Sequence, residues 1–106
     1  MLEASLTPAG IIGELNKNNI THVVWLPDSE TNFLFEGMMA DDSLELVPVC
    51  REGESMAVAA GIWVGGKRPV VLIQNTGMFE SGDSIRGLGL DIDFPMVMMV
   101  GYRGWT

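Results

Sequence analysis

The sequence contains few cysteines and few basic residues, and each shortage restricts what the protein can bind. It contains one cysteine, Cys50, and six lysines and arginines among 106 residues. A single cysteine cannot form an internal disulfide, and it favours a reducing, cytoplasmic setting. The six basic residues are scattered and face 14 acidic ones, so the formal net charge is −8. This balance argues against a nucleic-acid partner, because phosphate contacts require clustered Lys and Arg.

Long apolar runs and leader-like segments are also absent. No stretch approaches the roughly 20 apolar residues of a membrane helix, and no charged segment followed by an apolar run marks a signal peptide. No group of His, Cys and Asp residues has the spacing of a metal site, so no metal ligand is predicted in the chain. Hydrophobic residues nevertheless make up 47% of the sequence. We therefore expect one compact, soluble domain with a substantial core, outside any membrane.

Helical and extended patterns alternate along the chain. Four short apolar runs, rich in β-branched residues, predict strands. They cover residues 21–27, 44–49, 68–74 and 94–100. Most of these runs show no polar alternation, which is typical of strands covered on both faces. The sequence therefore predicts an α/β fold, a parallel sheet with helices on both faces.

The helices are predicted from their caps and apolar spacing. Thr7 and Pro8 begin the first helix as N-cap and first helical residue, and Asn18 and Asn19 end it. The other helices are expected at about 31–39, 50–66 and 84–90, and in the first of these Phe33, Leu34 and Met38 are expected to face inward. Pro48 is expected at a sheet edge or a strand end.

Residues 75–84, "NTGMFESGDS", are predicted to form a polar loop after the third strand. Ten residues are more than the usual two to six of such connections. Loops of this kind often carry binding groups, although a flexible surface loop is the alternative interpretation.

Carboxylates follow two of the predicted strands, where parallel sheets bind their ligands. Glu52 and Glu54 begin the third helix in "CREGESMAVAAGIWVGG". They are either first-turn residues that complement the helix dipole, or one of them is a partly desolvated carboxyl that can hold a proton against a ligand nitrogen. Asp28, in "WLPDSE", is either a turn or cap residue or a substrate-facing acid. His22, at the other end of its strand, is interpreted as structural.

Four segments in order carry a resemblance that covers nearly the whole chain. They are "WLPDSE", "CREGESMAVAAGIWVGG", "RPVVLIQNTGMFESGDSI" and "FPMVMMVGYRG". Together they resemble the pyrimidine-binding (PYR) domain of thiamin-diphosphate-dependent decarboxylases, and within that superfamily the sulfopyruvate and phosphonopyruvate decarboxylases. The resemblance implies that residues 1–106 are the N-terminal portion of such a domain and that its C-terminal part is missing from the sequence.

The resemblance also implies roles for individual residues. Glu52 would hydrogen-bond N1′ of the aminopyrimidine ring and share a proton with it, so that thiazolium C2 can lose its own proton. Asp28 would lie near the substrate and assist protonation and product release. Five residues would line the pyrimidine: Gln74, Asn75, Thr76, Gly77 and Met78. Glu54 is interpreted as a cap or dipole residue.

The implied enzyme is not complete in this chain. The diphosphate and its Mg²⁺ would be held by a second domain on a separate β chain, in a hetero-oligomer. The implied substrate is a small anionic 2-oxo acid, foremost sulfopyruvate, which would give sulfoacetaldehyde and CO₂. Arg86 and Arg103 are the candidates for its anionic group, if they are not simply surface residues. The alternatives are a phosphonopyruvate decarboxylase and a non-catalytic PYR-like module that only mediates association.

Overall fold

A computed structural model describes residues 6–104 of the chain. Within this range, one four-stranded sheet has the strand order β2-β1-β3-β4, and every pairing is parallel. The strands are β1 (His22–Trp25), β2 (Glu45–Pro48), β3 (Pro69–Gln74) and β4 (Met98–Gly101). The predicted parallel sheet is therefore confirmed.

The connections between the strands are helical. The α-helices are α1 (Pro8–Lys17), α2 (Phe35–Ala40), α3 (Glu52–Val64), α4 (Asn75–Glu80) and α5 (Gly82–Ser84). A 3₁₀ turn, Asn32–Leu34, precedes α2, and a π-helical segment, Ile85–Asp91, follows α5. The first helix begins as predicted, because Thr7 Oγ1 accepts a hydrogen bond from Gly10 N at 3.1 Å.

Helices cover both faces of the sheet, as the continuous apolar strands predict. On one face α1 and α2 pack on side chains such as Val23, Trp25 and Leu72. On the other face α3, α4 and the π-helical segment pack on Val24, Val71 and Ile73. Alternate residues of β1 and β3 thus enter two separate cores, which explains why both strands are apolar except for His22 and Gln74 at their ends.

Three expectations about the elements were wrong. Residues 75–84 are not a loop: α4 continues directly from β3 and α5 follows it. The fourth strand begins at Met98 rather than at residue 94. Phe94 instead packs edge-on against Trp63, with ring centroids 5.5 Å apart, and donates its N–H to Leu88 O. Phe33 is 49% exposed, whereas Leu34 and Met38 are buried as predicted.

Pro48 lies at the end of β2, which is an edge strand of the sheet among residues 6–104. A proline is tolerated there because no further strand requires its missing N–H. The third helix begins two residues later than expected and ends before Gly65 and Gly66; the latter adopts φ +91. The positions of Pro48 and of the two glycines agree with the predictions, whereas the start of the helix does not.

Candidate active site

The carboxyl ends of the four parallel strands lie along one edge of the sheet. In the parallel register Trp25 lies opposite Pro48 and Leu72, and Gln74 lies opposite Gly101. The residues that follow each strand therefore stand side by side. Helices α3 and α4 both begin at this carboxyl edge, so their first turns bring side chains to it.

Glu52 is the first residue of α3, and its side chain lies against Gly77 of α4. A Cβ atom at position 77 would come within 2.7 Å of Glu52 Cδ and 2.9 Å of Glu52 Cβ. Gly77 is buried and Glu52 is half-buried. Only a residue without a side chain fits at position 77 while Glu52 keeps this place. The structure thus joins two predicted site residues from different segments of the chain.

Glu54 has the capping role that the sequence predicts. Its Oε1 accepts the N–H groups of Cys50, at 2.5 Å, and Arg51, at 3.1 Å. These two amides precede the helix, so the side chain closes the entry of the chain into α3. Glu52, two residues earlier, is left to point towards α4. The two glutamates therefore have different functions.

Asn75 ties the start of α4 to the end of β4. Its Nδ2 donates to Arg103 O at 3.1 Å, and its Oδ1 accepts from Arg103 N at 3.0 Å. The same Oδ1 accepts from Thr76 N at 3.1 Å. Asn75 thus fixes the start of α4 to the segment that follows β4, which is a positioning role.

The other residues of the predicted pyrimidine segment differ in burial. Thr76 is exposed, Gln74 is half-buried, and Met78 is half-buried against the α3-side core. Gln74 Oε1 is buried without a hydrogen-bond partner, as is Asp28 Oδ2. A buried acceptor without a donor is costly, so both atoms mark places where a donor from outside these residues fits.

Asp28 caps the turn after β1 through its other oxygen. Asp28 Oδ1 accepts from Glu30 N at 2.8 Å, Thr31 N at 2.9 Å and Thr31 Oγ1 at 3.1 Å. This is the turn-and-cap interpretation of Asp28. The same side chain keeps Oδ2 free for the second interpretation, that of an acid facing a ligand. Asp28 lies at the carboxyl edge in the segment after β1, whereas Glu52 and Gly77 lie in α3 and α4.

The two arginines proposed for an anionic group have different surroundings. Arg86 is paired with two carboxylates, Asp83 at 2.9 Å and Asp91 at 2.6 Å. Arg103 follows β4 at the carboxyl edge, where its backbone is bonded to Asn75. Arg103 thus lies at the edge where a substrate is expected, whereas the guanidinium of Arg86 is already paired with two carboxylates.

A cleft of about 270 Å³ also opens near this edge, on the α1 side of the sheet. Thr31, next to the Asp28 turn, and Gly101 and Tyr102, at the end of β4, line part of it. Glu52 belongs to the opposite side of the sheet, with α3. The contact between Glu52 and Gly77 therefore lies outside this cleft.

Two features are absent from the described part of the chain. Between residues 6 and 104, no three side chains of His, Cys, Asp or Glu are grouped so that they could hold a metal ion. None of the helices in that range is long and apolar enough to cross a bilayer.

Sequence reasoning missed a second contact between α3 and α4. Glu80, at the end of α4, pairs with Arg51 and lies over Gly53. Gly53 was the available signal, since it stands between two glutamates within the predicted third helix. A glycine in a helix is unfavourable unless a close approach requires it.

Comparisons with curated proteins find sulfopyruvate and phosphonopyruvate decarboxylases as relatives. The chain is 27% identical over 94 residues to the sulfopyruvate decarboxylase subunit alpha of Methanocaldococcus jannaschii, covering 89% of this chain and 56% of that protein. It is 34% identical over 85 residues to the subunit of the same name from Methanothermobacter thermautotrophicus, covering 80% of this chain and 52% of the relative. It is 31% identical over 104 residues to a phosphonopyruvate decarboxylase of Streptomyces hygroscopicus, covering 98% of this chain and 25% of that protein.

The chain thus spans about half the length of the alpha subunits it matches. No model of a known protein family matches it. Among solved structures, a putative thiamin diphosphate-dependent enzyme from Mycobacterium smegmatis superposes with a TM-score of 0.72 at 22% identity, covering 92% of this chain and 19% of that one. Benzoylformate decarboxylase from Polynucleobacter necessarius gives the same TM-score and identity, and 18% of it is covered.

The structural likeness establishes the fold, and the sequence likeness points to the same group of enzymes. The predicted resemblance is therefore confirmed: the chain is similar to sulfopyruvate and phosphonopyruvate decarboxylases over most of its length, and its fold is a PYR-like α/β domain of thiamin-diphosphate-dependent enzymes.

Proposed function

We propose that this chain is the pyrimidine-binding part of a thiamin-diphosphate-dependent decarboxylase that acts on a small anionic 2-oxo acid, foremost sulfopyruvate. The observation that carries the proposal is the position of Glu52. Its carboxyl stands half-buried at the carboxyl edge of a parallel sheet, against a glycine that leaves room for it. A carboxyl in such a place can hold and transfer a proton.

The available groups fit the pyrimidine half of the cofactor. An aminopyrimidine presents a ring nitrogen, which accepts a hydrogen bond, and an amino group, which donates. A protonated Glu52 supplies the donor, and the buried Gln74 Oε1, which has no partner, supplies an acceptor. Met78 adds a flexible apolar side chain of the kind that packs on a ring. When bound, thiamin diphosphate supplies a nucleophilic carbon and an electron sink that allow CO₂ to leave.

The residues of this chain then have separable roles. Glu52 shares a proton with the ring nitrogen. Asp28 offers Oδ2 to the substrate side, while Oδ1 holds the turn in place. Gln74, Asn75, Thr76, Gly77 and Met78 form the pyrimidine-facing segment. Asn75 fixes this segment to the end of β4 through two hydrogen bonds to Arg103.

The proposal includes a partner and a place for the anion. Relatives of this chain are named as alpha subunits, which supports a hetero-oligomer with a separate β chain. That partner would hold the diphosphate and its Mg²⁺. Arg103 would face the anionic group of the substrate, because it follows β4 at the carboxyl edge. The exposed, unpaired thiol of Cys50 is compatible with the cytoplasm as the place of action.

Phosphonopyruvate is the second candidate substrate. The phosphonopyruvate decarboxylase of Streptomyces hygroscopicus matches 98% of this chain, more than either alpha subunit described above. Sulfonate and phosphonate groups accept the same kinds of hydrogen bond, so the described residues favour neither.

The test is CO₂ release by this chain co-expressed with a β partner, in the presence of thiamin diphosphate and Mg²⁺. Sulfopyruvate, phosphonopyruvate and pyruvate are compared as substrates. We expect turnover of one anionic 2-oxo acid that is lost when either chain is omitted. If all three acids are inert, the chain is either a fragment that lacks part of the site or a non-catalytic PYR-like association module.

Glu52→Gln tests the assigned proton role within the same assay. The amide keeps the shape that packs on Gly77 but cannot share the proton, so kcat should fall by roughly a hundredfold or more. Glu36→Gln, at an exposed position of α2, is the matched control and should retain full activity. A Glu52→Gln enzyme with an unchanged rate would refute the role of Glu52.

A further inference from the structure

The contact between α3 and α4 is reciprocal. Glu52 of α3 lies over Gly77 of α4, and Glu80 of α4 lies over Gly53 of α3. Each helix thus contributes one glutamate and one glycine. A Cβ atom at position 53 would come within 2.8 Å of Glu80 Oε2, as one at position 77 would meet Glu52.

Positions 53 and 77 differ in how easily the neighbouring atoms could move to admit a side chain. At Gly53 the obstructing atoms are the carboxylate end of Glu80, which a side-chain rotation can move. At Gly77 they include Cβ and Cδ of Glu52, and Cβ is fixed to the backbone of α3. A side chain at position 77 must therefore displace the start of α3 itself or push Glu52 out of its place.

Serine hydroxyl groups fix the backbone at the same points. Ser55 Oγ donates to Glu52 O at 2.5 Å, and Ser81 Oγ donates to Gly77 O at 2.7 Å. Ser84 Oγ donates to Gly53 O at 3.1 Å. Ser55 and Ser81 are almost fully buried. The carbonyl groups of three of the four contact residues are therefore held by side chains as well as by the helices.

An ion pair completes the contact on its outer side. Arg51, just before α3, donates to Glu80 Oε1. Arg51 also follows directly on Cys50, whose N–H is held by Glu54. This ion pair links Arg51, the residue immediately before Glu52, to the end of α4.

From these contacts we propose that Glu80 and Gly77 are positioning residues for Glu52. In this role both residues act through the reciprocal contact, and Gly77 also belongs to the proposed pyrimidine-facing segment. Gly77 leaves the space that the Glu52 side chain occupies, and Glu80, bonded to Arg51, holds the first turn of α3 beside α4. The consequence for catalysis rests on the proposed function, whereas the contact itself does not.

The first experiment tests the contact without any assay of activity. Gly77→Ala is compared in the wild-type background and in Glu52→Ala, by urea unfolding of the 106-residue chain. The folding equilibrium constant should fall roughly five- to a hundredfold in the wild-type background, because an inserted methyl group overpacks a filled site. In Glu52→Ala the same change should cost clearly less, since Cγ and Cδ of Glu52 are gone and only its Cβ, 2.9 Å from the added methyl group, remains in the way.

Gly61→Ala is the matched control, because Gly61 lies within α3 and a Cβ there meets nothing within 4 Å. It should be neutral or stabilising in both backgrounds. An equal cost of Gly77→Ala with and without the Glu52 side chain would overturn the proposed contact.

The second experiment measures positioning in the enzyme assembled with its β partner. Glu80→Gln removes the charge that bonds Arg51, and Asp83→Asn removes a comparable exposed ion pair with Arg86. We expect Glu80→Gln to lower kcat about tenfold at unchanged KM, while Asp83→Asn leaves both unchanged. Equal values for the two variants would overturn the positioning role of Glu80. Inactivity of the wild-type assembly, with the coupling between Glu52 and Gly77 intact, would instead refute the proposed function.

Discussion

Asp28 uses its two carboxylate oxygens differently. Oδ1 accepts three hydrogen bonds from Glu30 and Thr31, whereas Oδ2 is buried and has no partner. The sequence offered two interpretations of this residue, a turn cap and a ligand-facing acid, and they are not exclusive. A side chain that is fixed through one oxygen presents the other in a defined direction.

Replacement of Asp28 separates the two roles. Asp28→Ala removes the acceptor of two N–H groups and of the buried Thr31 hydroxyl, so we expect a loss of about 1–2 kcal/mol in the free energy of unfolding. Asp28→Asn keeps an acceptor at the Oδ1 position and should recover most of that loss. Urea unfolding measures both, with the exposed Asp42→Ala as the control. If Asp28→Ala is as stable as the control, the capping role is wrong.

Candidate site residues can be named from the sequence, but their contacts cannot. The position of Glu52 after a strand and at a helix start is visible in the sequence, as is the cap formed by Glu54. The proximity of Glu52 and Gly77 is not, because 24 intervening residues form a helix and a strand. Only the three-dimensional packing of α3 on α4 shows why position 77 must be glycine.

At the scale of elements, α4 shows where local patterns are insufficient. Asparagine, threonine and glycine favour turns and caps, so residues 75–84 were predicted as a loop. Packing overrides this preference. Gly77 lies under Glu52, and Ser81 Oγ bonds back to Gly77 O. Most helical stability comes from such packing and not from intrinsic propensity, which explains the error.

The pairing of α3 with α4 should depend on pH. The hydrogen bond from Arg51, together with the charge of Arg51 and the backbone of Gly53, holds the pKa of Glu80 below its ordinary value. Glu52 and Glu54 are the other charged groups that interact with Arg51. A carboxyl with a lowered pKa in the folded state stabilises it above the ordinary pKa, and this contribution is lost as the pH falls through the lowered value.

Glu80→Gln should therefore reduce stability at neutral pH and lose that effect in acid. We expect wild type and Glu80→Gln to differ in urea midpoint at pH 7 and to converge as the pH falls below about 4.5. Chemical unfolding across this range is the measurement, with Asp83→Asn as the control for general loss of charge. A difference between the two proteins that persists at low pH would show that the ion pair is not its source. The Glu80 side chain is 36% exposed, so added salt should also reduce the difference.

For the molecule as a whole, the apolar runs predicted the architecture correctly. Apart from His22 at the start of β1 and Gln74 at the end of β3, both strands are apolar, because each lies between two neighbouring strands and under helices on both faces. The edge strands are less uniform. β2 includes Pro48 and exposed Glu45, whereas β4 follows exposed Val97 and includes Val100, which is 38% exposed.

The edge formed by β4 is consequently the side of the sheet most open to association. Within residues 6–104, β4 pairs with β3 alone, so its outer backbone groups have no strand partner. Val97 is 54% exposed and Val100 is 38% exposed, and neither carries a charge that would oppose pairing. An apolar edge strand without proline or lysine is a template for another chain.

We therefore expect the 106-residue chain to self-associate as its concentration rises, and Val100→Lys to suppress this. A lysine on an edge strand opposes pairing because the charge would have to be desolvated beside the second chain. Sedimentation velocity across a range of concentrations gives the measurement. Val64→Lys, at a position 78% exposed near the end of α3, is the matched control and should associate as the wild type does. Equal suppression by both lysines would mean that added charge acts generally, and suppression by Val64→Lys alone would place the contact on α3 instead of β4.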